Sequence, residues 1–246
     1  MAALQFRDVT LGYDRHPAVH HLNGTVEAGS LTAVVGPNGA GKSTLFKAIV
    51  GALKPLAGHI ERDGFVAHDI AYLPQVAEID RTFPINVYDM VAMGLWRRKG
   101  VFGGIGRDAH GAVEASIAAV GLTGFEQRAI GSLSGGQMQR MLFARLLVQD
   151  ARIIVLDEPF GAIDSRTAED LMHLVRRWHA ERRTVLAATH DIELVRAAFP
   201  RTLMLAREPV AWGATRDVLT AENLEKARRM CEAFDEAATT CVREAA

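Results

Sequence analysis

The alternation of apolar and polar positions predicts strands in the first 36 residues. Segments 4–13 and 22–29 alternate with the period of two that is typical of half-buried strands, and a turn is predicted around 14–17. Segment 31–36 has a single polar side chain, which indicates a strand covered on both faces that runs into a glycine-rich turn. The chain therefore begins with predicted strands, the last of which leads into a loop.

A helix is predicted directly after this loop. One helical face carries Leu45, Ile49, Ala52 and Leu53. The stretch 51–58 contains two glycines and a proline, which predicts that the helix stops there.

Later segments alternate between short apolar strands and helical spacing. Strands are predicted at 69–75, 152–158 and 183–190, and helices within 86–147 and at 167–181, so that 76–150 is mostly helical. Apolar strands separated by helices predict a parallel sheet with helices on both faces.

The loop after the third strand carries a phosphate-binding motif. Gly36, Gly41, Lys42 and Ser43 fill the pattern GxxxxGK[ST] between a strand and a helix, which is the context that the pattern requires. Backbone N–H groups of 38–44 would converge at a helix N-terminus, where positive partial charge favours a polyphosphate. Lys42 would reach the terminal phosphates and Ser43 would bind Mg²⁺. The candidate ATP-binding residues of this loop are Gly36, Pro37, Asn38, Gly39, Ala40, Gly41, Lys42, Ser43 and Thr44.

Two carboxylates end the apolar strand at 152–158. Strand alternation would send Asp157 and Glu158 to opposite faces, so we expect Asp157 to bind Mg²⁺ and Glu158 to activate water. A strand that ends in two acids is structural about as often as functional, but the glycine-rich loop favours the functional interpretation.

A second glycine turn, LSGGQMQR at 133–140, precedes another helix. One site does not need two phosphate cradles, so a two-fold dimer is expected in which this turn closes on the nucleotide of the other chain. With these motifs in this order, the chain from about Leu4 to Arg216 resembles the ATP-binding subunit of ABC transporters.

The resemblance implies a fold and a domain layout. The fold would be α/β, a P-loop NTPase (RecA-like) core with a parallel sheet, an N-terminal antiparallel β subdomain and an inserted helical subdomain. Residues 1–246 would form a single ABC ATPase domain, with 1–75 and 151–222 as the nucleotide-binding core. Residues 76–150 would be the helical subdomain with the signature motif, and 223–246 a C-terminal helical tail.

The resemblance also implies roles for single residues. Tyr13 would stack on adenine, Gln75 would contact Mg²⁺ and the attacking water, and His190 would touch the γ-phosphate. Asp164 would couple the two sites across the dimer. The signature residues that would contact ATP are Ser134, Gly135, Gly136 and Gln137. The catalytic set would be Glu158, His190, Gln75 and Lys42, with Ser43, Gln75 and Asp157 on Mg²⁺.

Composition and charge narrow the function classes. The 28 basic and 29 acidic residues give a net charge of −1, which argues against a nucleic-acid partner, and 49% hydrophobic residues indicate a globular domain. No apolar run is long enough to span a bilayer and the start lacks a secretory pattern, so we expect a cytoplasmic protein. The two cysteines, Cys231 and Cys241, form no disulfide framework and fall on a predicted helical stripe in the tail.

The resemblance implies partners on the cytoplasmic side of a bacterial inner membrane. The chain would be a peripheral homodimer that binds an integral-membrane permease through the surface after Gln75, with an extracytoplasmic metal-binding protein acting through the permease. Segment 83–94 and Phe160 resemble subunits that power zinc and manganese uptake, whereas Gly161 to Ile163 depart from that group.

Three other interpretations stay open. Importers of iron-siderophore or vitamin B12-like cargo usually have Thr where Phe160 stands. The soluble iron-sulfur assembly ATPase usually has charged residues where this chain has Gln137 to Gln139, which makes that interpretation less favoured. His16, His20 and His21 could bind a metal, although a zinc site needs three or four converging ligands, so a solvated surface is the expected interpretation.

Overall fold

The computed structural model describes residues 1–13, 16–96 and 107–232, apart from the side chains of 107, 108, 231 and 232. They form two compact units. The first takes its described residues from 1–67 and 184–232, and the second comprises the described residues of 68–183.

The first unit begins with an antiparallel sheet. Its strands are β1 (Ala2–Tyr13), β2 (His16–Glu27) and β4 (Ala57–Glu61), in the order β2-β1-β4. Two residues of the turn predicted at 14–17 belong to a strand, because β2 starts at His16 and Gly12 pairs with Pro17. Strand β4 was not predicted. Gly58 permits its pairing, since a Cβ there would lie 2.2 Å from the Asp8 carbonyl oxygen.

The same unit holds a second set of strands with helices. The strands are β3 (Leu31–Val35), β7 (Thr184–Ala188), β8 (Arg201–Ala206) and β9 (Glu208–Ala214), in the order β7-β3-β8-β9. The first three are parallel and β9 is antiparallel. Every residue of β3 and β7 is buried, as expected for strands covered on both faces. The helices of this unit are α1 (Lys42–Ile49), α6 (Ile192–Ala198), α7 (Thr215–Val218) and α8 (Ala221–Glu232).

The second unit is mostly helical. Its strands β5 (Ile70–Leu73) and β6 (Ile153–Asp157) are parallel. Its helices are α2 (Val87–Ala92), α3 (Arg107–Ala119), α4 (Gly135–Gln149) and α5 (Ser165–Ala180). Phe143 of α4 stacks on Trp178 of α5 with ring centroids 5.7 Å apart, and both rings are buried. The predicted fold class, α/β with a parallel sheet and an antiparallel β subdomain, is confirmed.

The helix after the glycine loop is shorter than predicted. Helix α1 ends at Ile49, so Ala52 and Leu53 lie beyond it. Gly51 ends the helix with a φ of 80°, and Arg62 donates hydrogen bonds to the Ile49 carbonyl at 3.0 and 3.1 Å. These contacts satisfy carbonyl groups that helix termini leave without partners.

The tail is described only as far as residue 232. Within helix α8, Ala227 is buried and Leu224 and Met230 are half-buried, which agrees with the predicted stripe. The side chain of Cys231 and the stripe positions after 232, including Cys241, lie outside the described residues. Among the helices that the structure describes, none has the length and apolar composition needed to cross a membrane.

Candidate functional site

The glycine loop of the first unit owes its shape to two close contacts. Gly41 precedes α1 with a φ of 94°, and a Cβ there would lie 2.4 Å from Val19 Cγ2 and 2.7 Å from the Ala18 carbonyl oxygen. At Gly36, a Cβ would lie 1.9 Å from the Leu205 carbonyl oxygen. Only glycine fits both positions, so backbone packing determines the path of the loop.

Lys42 is the first residue of α1 and is 7% exposed. Its Nζ donates hydrogen bonds to the carbonyl oxygens of Gly36 at 2.8 Å and Pro37 at 2.9 Å. These bonds hold the ammonium group over the loop. A buried cation among backbone groups at a helix N-terminus is suited to an anionic ligand.

The rest of the loop differs in exposure. Asn38 and Gly39 are exposed, Pro37 and Ser43 are half-buried, and Ala40 and Thr44 are buried. The Ala40 carbonyl accepts a hydrogen bond from the Arg207 N–H at 3.1 Å, which fastens the loop to the turn between β8 and β9. Ser43 lies in the first helical turn, where its hydroxyl can serve as an oxygen ligand.

His190 lies beside this loop in the fold of the first unit. Strand β7 pairs with β3, and the Thr189 N–H donates to the Val34 carbonyl at 3.2 Å, so His190 follows β7 at the sheet edge where β3 enters the loop. Its side chain is exposed. Tyr13 is half-exposed at the last pair of the β1–β2 ladder, the ladder that also supplies Ala18 and Val19 next to Gly41.

In the second unit, the ends of β5 and β6 bring together three predicted residues. Strands β5 and β6 are parallel, and Leu73 pairs with Leu156. Gln75, shortly after Leu73, therefore lies at the same edge of the sheet as Asp157 and Glu158. Asp157 is fully buried, and the Tyr72 hydroxyl donates to its Oδ2 at 3.4 Å. Sequence reasoning missed Tyr72, although the alternation of β5 makes it the half-buried residue of an otherwise buried strand.

Strand alternation was the wrong basis for the orientation of Glu158. Strand β6 ends at Asp157, and Glu158 has a φ of 50°, in the left-handed region. The Gly161 N–H donates to the Glu158 carbonyl at 3.2 Å, so a turn, not extended backbone, determines where this half-buried carboxylate points. Non-glycine residues with such a φ are uncommon, and six others among the described residues share it, including Ala162 shortly after Glu158.

The second glycine turn forms a capping box at the start of α4. The Ser134 Oγ accepts from the Gln137 N–H at 3.2 Å, and the Gln137 Oε1 accepts from the Ser134 N–H at 3.0 Å. Both side chains are thereby committed to the helix N-terminus. Gly135 and Gly136 pack against the loop before α5, since Cβ atoms there would lie 3.4 Å from the Ala162 carbonyl oxygen and 3.7 Å from Asp164 Oδ2.

Asp164 caps helix α5. Its Oδ1 accepts from the Thr167 N–H at 2.9 Å and its Oδ2 accepts from the Thr167 hydroxyl at 2.8 Å. The backbone hydrogen bond from Thr167, followed by the hydroxyl bond, lowers the pKa of Asp164 below its usual value. The second unit therefore brings Asp164 and the signature glycines together.

Two observations bear on metal binding. In the second unit the buried carboxylate of Asp157 and the Gln75 amide oxygen are hard oxygen donors of the kind that Mg²⁺ prefers, and in the first unit the Ser43 hydroxyl is another. Among the described residues, no group of three or more His, Cys, Asp or Glu side chains could hold a metal ion. This applies to His16, His20 and His21. The expected solvated surface is wrong for His20, which is buried within β2.

Comparison with known proteins identifies the family. Residues 19–161 match the family described as ABC transporter, which is more than half of the chain. The chain belongs to the ABC transporter family. Over 214 residues it is 39% identical to the manganese transport system ATP-binding protein MntA of Synechocystis, covering 85% of this chain and 82% of MntA. It is 36% identical to the zinc transport system ATP-binding protein TroB of Treponema pallidum, covering 92% and 86%.

Solved ABC structures share the fold. A transporter described as being of the metal-chelate type, in an inward-facing conformation, matches with a TM-score of 0.82 and 29% identity over 93% of this chain and 90% of that chain. The dimeric ATP-binding cassette MJ0796, bound to ADP and Pi, matches with a TM-score of 0.77 and 25% identity over 87% and 99%.

Sequence reasoning assigned no role to one buried polar side chain of this ABC protein. Gln139 of α4 is fully buried, and its Nε2 donates to the Pro159 carbonyl at 2.7 Å. The sequence contained a signal, because Gln139 shares its helical face with Phe143 and Leu146, both buried apolar residues. A polar residue on such a face needs a buried partner.

Proposed function

We propose that this chain is the ATP-hydrolysing subunit of a metal-ion importer, with zinc or manganese as the cargo. The observation that most supports the cargo is its similarity, over 85–92% of its length, to ATP-binding proteins of manganese and zinc transport systems. The observation that most supports the chemistry is Lys42, held within a loop that only glycines can form.

The loop and Tyr13 bind the nucleotide in this proposal. Tyr13 offers an exposed ring for adenine, the amides of 38–44 bind phosphate oxygens, and Lys42 exchanges its loop carbonyls for phosphate. Ser43, Gln75 and Asp157 are the candidate Mg²⁺ ligands. When bound, Mg²⁺ neutralises charge on the phosphates during transfer.

Four residues act on hydrolysis. Glu158 accepts a proton from the water that attacks the γ-phosphorus in line with the leaving ADP oxygen. The Gln75 amide orients that water, and His190 donates a hydrogen bond to a γ-phosphate oxygen. Lys42 offsets the charge that develops on the phosphates.

The signature turn serves the nucleotide of a second copy of the chain. Ser134, Gly135 and Gly136 present exposed or half-exposed groups at the N-terminus of α4, Gln137 fixes that terminus, and Asp164 lies against it. We infer a homodimer that binds an integral-membrane permease from the cytoplasmic side, with an extracytoplasmic metal-binding protein on the other side. The layout of 1–75 and 151–222 as core, 76–150 as helical subdomain and 223–246 as tail belongs to the same proposal.

Glu158→Gln tests the chemistry. The amide keeps the size of the carboxylate but cannot accept the proton, so we expect kcat to fall about 10²- to 10⁴-fold while ATP still binds and holds the dimer closed. Steady-state ATPase assays, ATP binding and size-exclusion chromatography measure this. Glu169→Gln, the same change on the exposed face of α5, is the matched control. Wild-type turnover in Glu158→Gln would contradict the role.

Metal uptake tests the cargo. A host that lacks this chain is grown in medium depleted of metal by a chelator, and zinc, manganese or iron-siderophore is then added singly. Growth and cell metal content are measured in this host and in hosts that also express the wild-type chain or Glu158→Gln. Rescue of growth by zinc or manganese supports the proposal. Rescue by siderophore alone would favour the second candidate, a metal-chelate importer, which the similarity to the metal-chelate type transporter supports. Normal growth and metal content in all media would refute both cargo assignments.

A further inference from the structure

Gln139 connects the signature helix to the backbone that carries Glu158. It lies five residues after Ser134 in α4, is fully buried, and donates from Nε2 to the carbonyl of Pro159 at 2.7 Å. Pro159 directly follows Glu158, so this hydrogen bond acts one residue away from the proposed catalytic carboxylate.

The backbone at Glu158 needs such support. Its φ of 50° is a conformation that non-glycine residues adopt at an energetic cost, so surrounding contacts must maintain it. One contact is local, from the Gly161 N–H to the Glu158 carbonyl at 3.2 Å. The bond from Gln139 comes from a different element, so the position of α4 affects the turn.

The other end of the Gln139 side chain argues against a purely stabilising role. Its Oε1 is buried and has no hydrogen-bond partner among the residues that the structure describes. A buried amide that satisfies only one of its ends contributes little to stability compared with an apolar side chain of similar size. The amide therefore needs another explanation.

The N-terminal part of α4 contacts the same segment at further points. Gly135 approaches the Ala162 carbonyl oxygen, Gly136 approaches Asp164, and the Arg140 guanidinium donates to Asp170 Oδ2 at 2.7 Å. The segment that starts at Glu158 is thus packed along the first turns of the signature helix. Among these contacts of α4, the hydrogen bond from Gln139 is the one nearest to Glu158, so a shift of the Ser134 end would reach that residue most directly through Gln139.

We propose that Gln139 is a positioning residue that couples the occupancy of the signature turn to the placement of Glu158 for hydrolysis. This inference rests on the proposed function. It predicts that without the Nε2 donor, ATP binds and the dimer closes, but Glu158 is misplaced for accepting the proton of the attacking water.

Gln139→Met tests the coupling because it keeps the length of the side chain and removes the donor. We expect kcat to fall about 10- to 100-fold, the KM for ATP to change less than about threefold, and the melting temperature to stay close to that of the wild type. Gln149→Met, the same change at the buried far end of α4, is the matched control. We also expect the Hill coefficient for ATP to fall in Gln139→Met and not in the control.

Gln139→Glu provides a readout that a structural role would not give. A buried carboxylic acid can donate to the Pro159 carbonyl when protonated, and burial raises its pKa, so turnover of this variant should fall with rising pH relative to the wild type. Turnover of Gln139→Met equal to that of Gln149→Met, or a Gln139→Glu pH profile that matches the wild type, would overturn the proposal. Glu158→Gln is measured in the same series. If Glu158→Gln keeps its turnover, the proposed function itself fails; if it loses turnover while Gln139→Met does not, only the coupling fails.

Discussion

Gly41→Ala should destabilise the protein far more than the same change two residues earlier. At Gly41 the backbone has a φ of 94°, and the new methyl group would lie 2.4 Å from Val19 Cγ2 and 2.7 Å from the Ala18 carbonyl oxygen. At Gly39 the φ is 78°, but no atom outside the neighbouring residues lies within 4 Å of the new methyl group. The two substitutions share the conformational penalty and differ in the steric one.

The magnitudes separate the two variants. A left-handed conformation costs an L-residue about 1–2 kcal/mol, and the loss of glycine flexibility in the unfolded chain returns about 0.4–1 kcal/mol. Gly39→Ala should therefore cost between about 0 and 1.6 kcal/mol. In Gly41→Ala the forced shift of Ala18 or of the loop adds about 1–3 kcal/mol or more, since a backbone oxygen cannot move aside as a flexible side chain can.

Thermal unfolding measures the difference. For a protein of this size about 1 kcal/mol lowers the melting temperature by roughly 2–4 °C, so we expect a loss of about 5–15 °C for Gly41→Ala and at most about 6 °C for Gly39→Ala, with Gly41→Ala the less stable of the two. ATP binding should weaken with Gly41→Ala because the N-terminus of α1 is displaced. Equal melting temperatures for the two variants would refute the argument that contact with β2 determines the path of the loop.

Two further predictions concern stability. Arg62→Ala removes the donors that reach the last carbonyls of α1 at 3.0–3.2 Å. It should lower the free energy of unfolding, measured by urea denaturation, by about 1–2 kcal/mol, and Arg62→Lys should retain only part of the stability. No change in either variant would contradict the capping role. Burial is the largest cause that lowers the pKa of His20 below 6.5. The charge of Glu208 opposes this effect, and the charges of His21 and Arg207 add to it. The neutral form is thus favoured in the folded state, and its contribution to stability is complete above pH 6.5 and is lost as the pH falls below 6.5 through the lowered pKa of the folded state. The urea midpoint of the wild type should therefore fall as the pH is lowered from 8 to 5, and His20→Gln should make that fall smaller. An unchanged pH dependence of the midpoint would show that His20 does not cause the fall.

Local patterns predicted the parts of the fold whose causes are local. Strand β3, the glycine loop and α1 follow one another within 31–49, and their apolar spacing and glycines lie in the sequence itself. Strand β4 was not predicted, because its five residues are exposed or half-exposed and depend on pairing with β1, about fifty residues away. Strand β9 was not predicted for the same reason, since its seven residues are half-buried or exposed and depend on pairing with β8.

The candidate site shows the same division. The sequence pattern placed Gln75 and Asp157 at the ends of two strands, and the register of β5 and β6 brings these ends to one edge of the sheet. The conformation of Glu158 could not be predicted, because alternation describes extended backbone and this residue begins a left-handed turn. The contact between Gln139 and Pro159 joins two elements twenty residues apart and has no local signal beyond a polar residue on an apolar helical face.

The two glycine turns, similar as sequence motifs, have glycines for different physical reasons. Gly39 and Gly41 have positive φ values, so the first loop needs glycine for its backbone conformation. Gly135 and Gly136 are helical, and Cβ atoms there would lie 3.4 Å from the Ala162 carbonyl oxygen and 3.5–3.7 Å from Thr167 and Asp164, which are ordinary contact distances. The first loop thus needs glycine for its backbone conformation and for its close contacts with neighbouring backbone, whereas the signature turn could carry a methyl group without a steric clash. The glycines of the signature turn instead leave the N–H groups at the start of α4 accessible, which is why α4 is the helix through which we expect one nucleotide to affect the hydrolysis of the other.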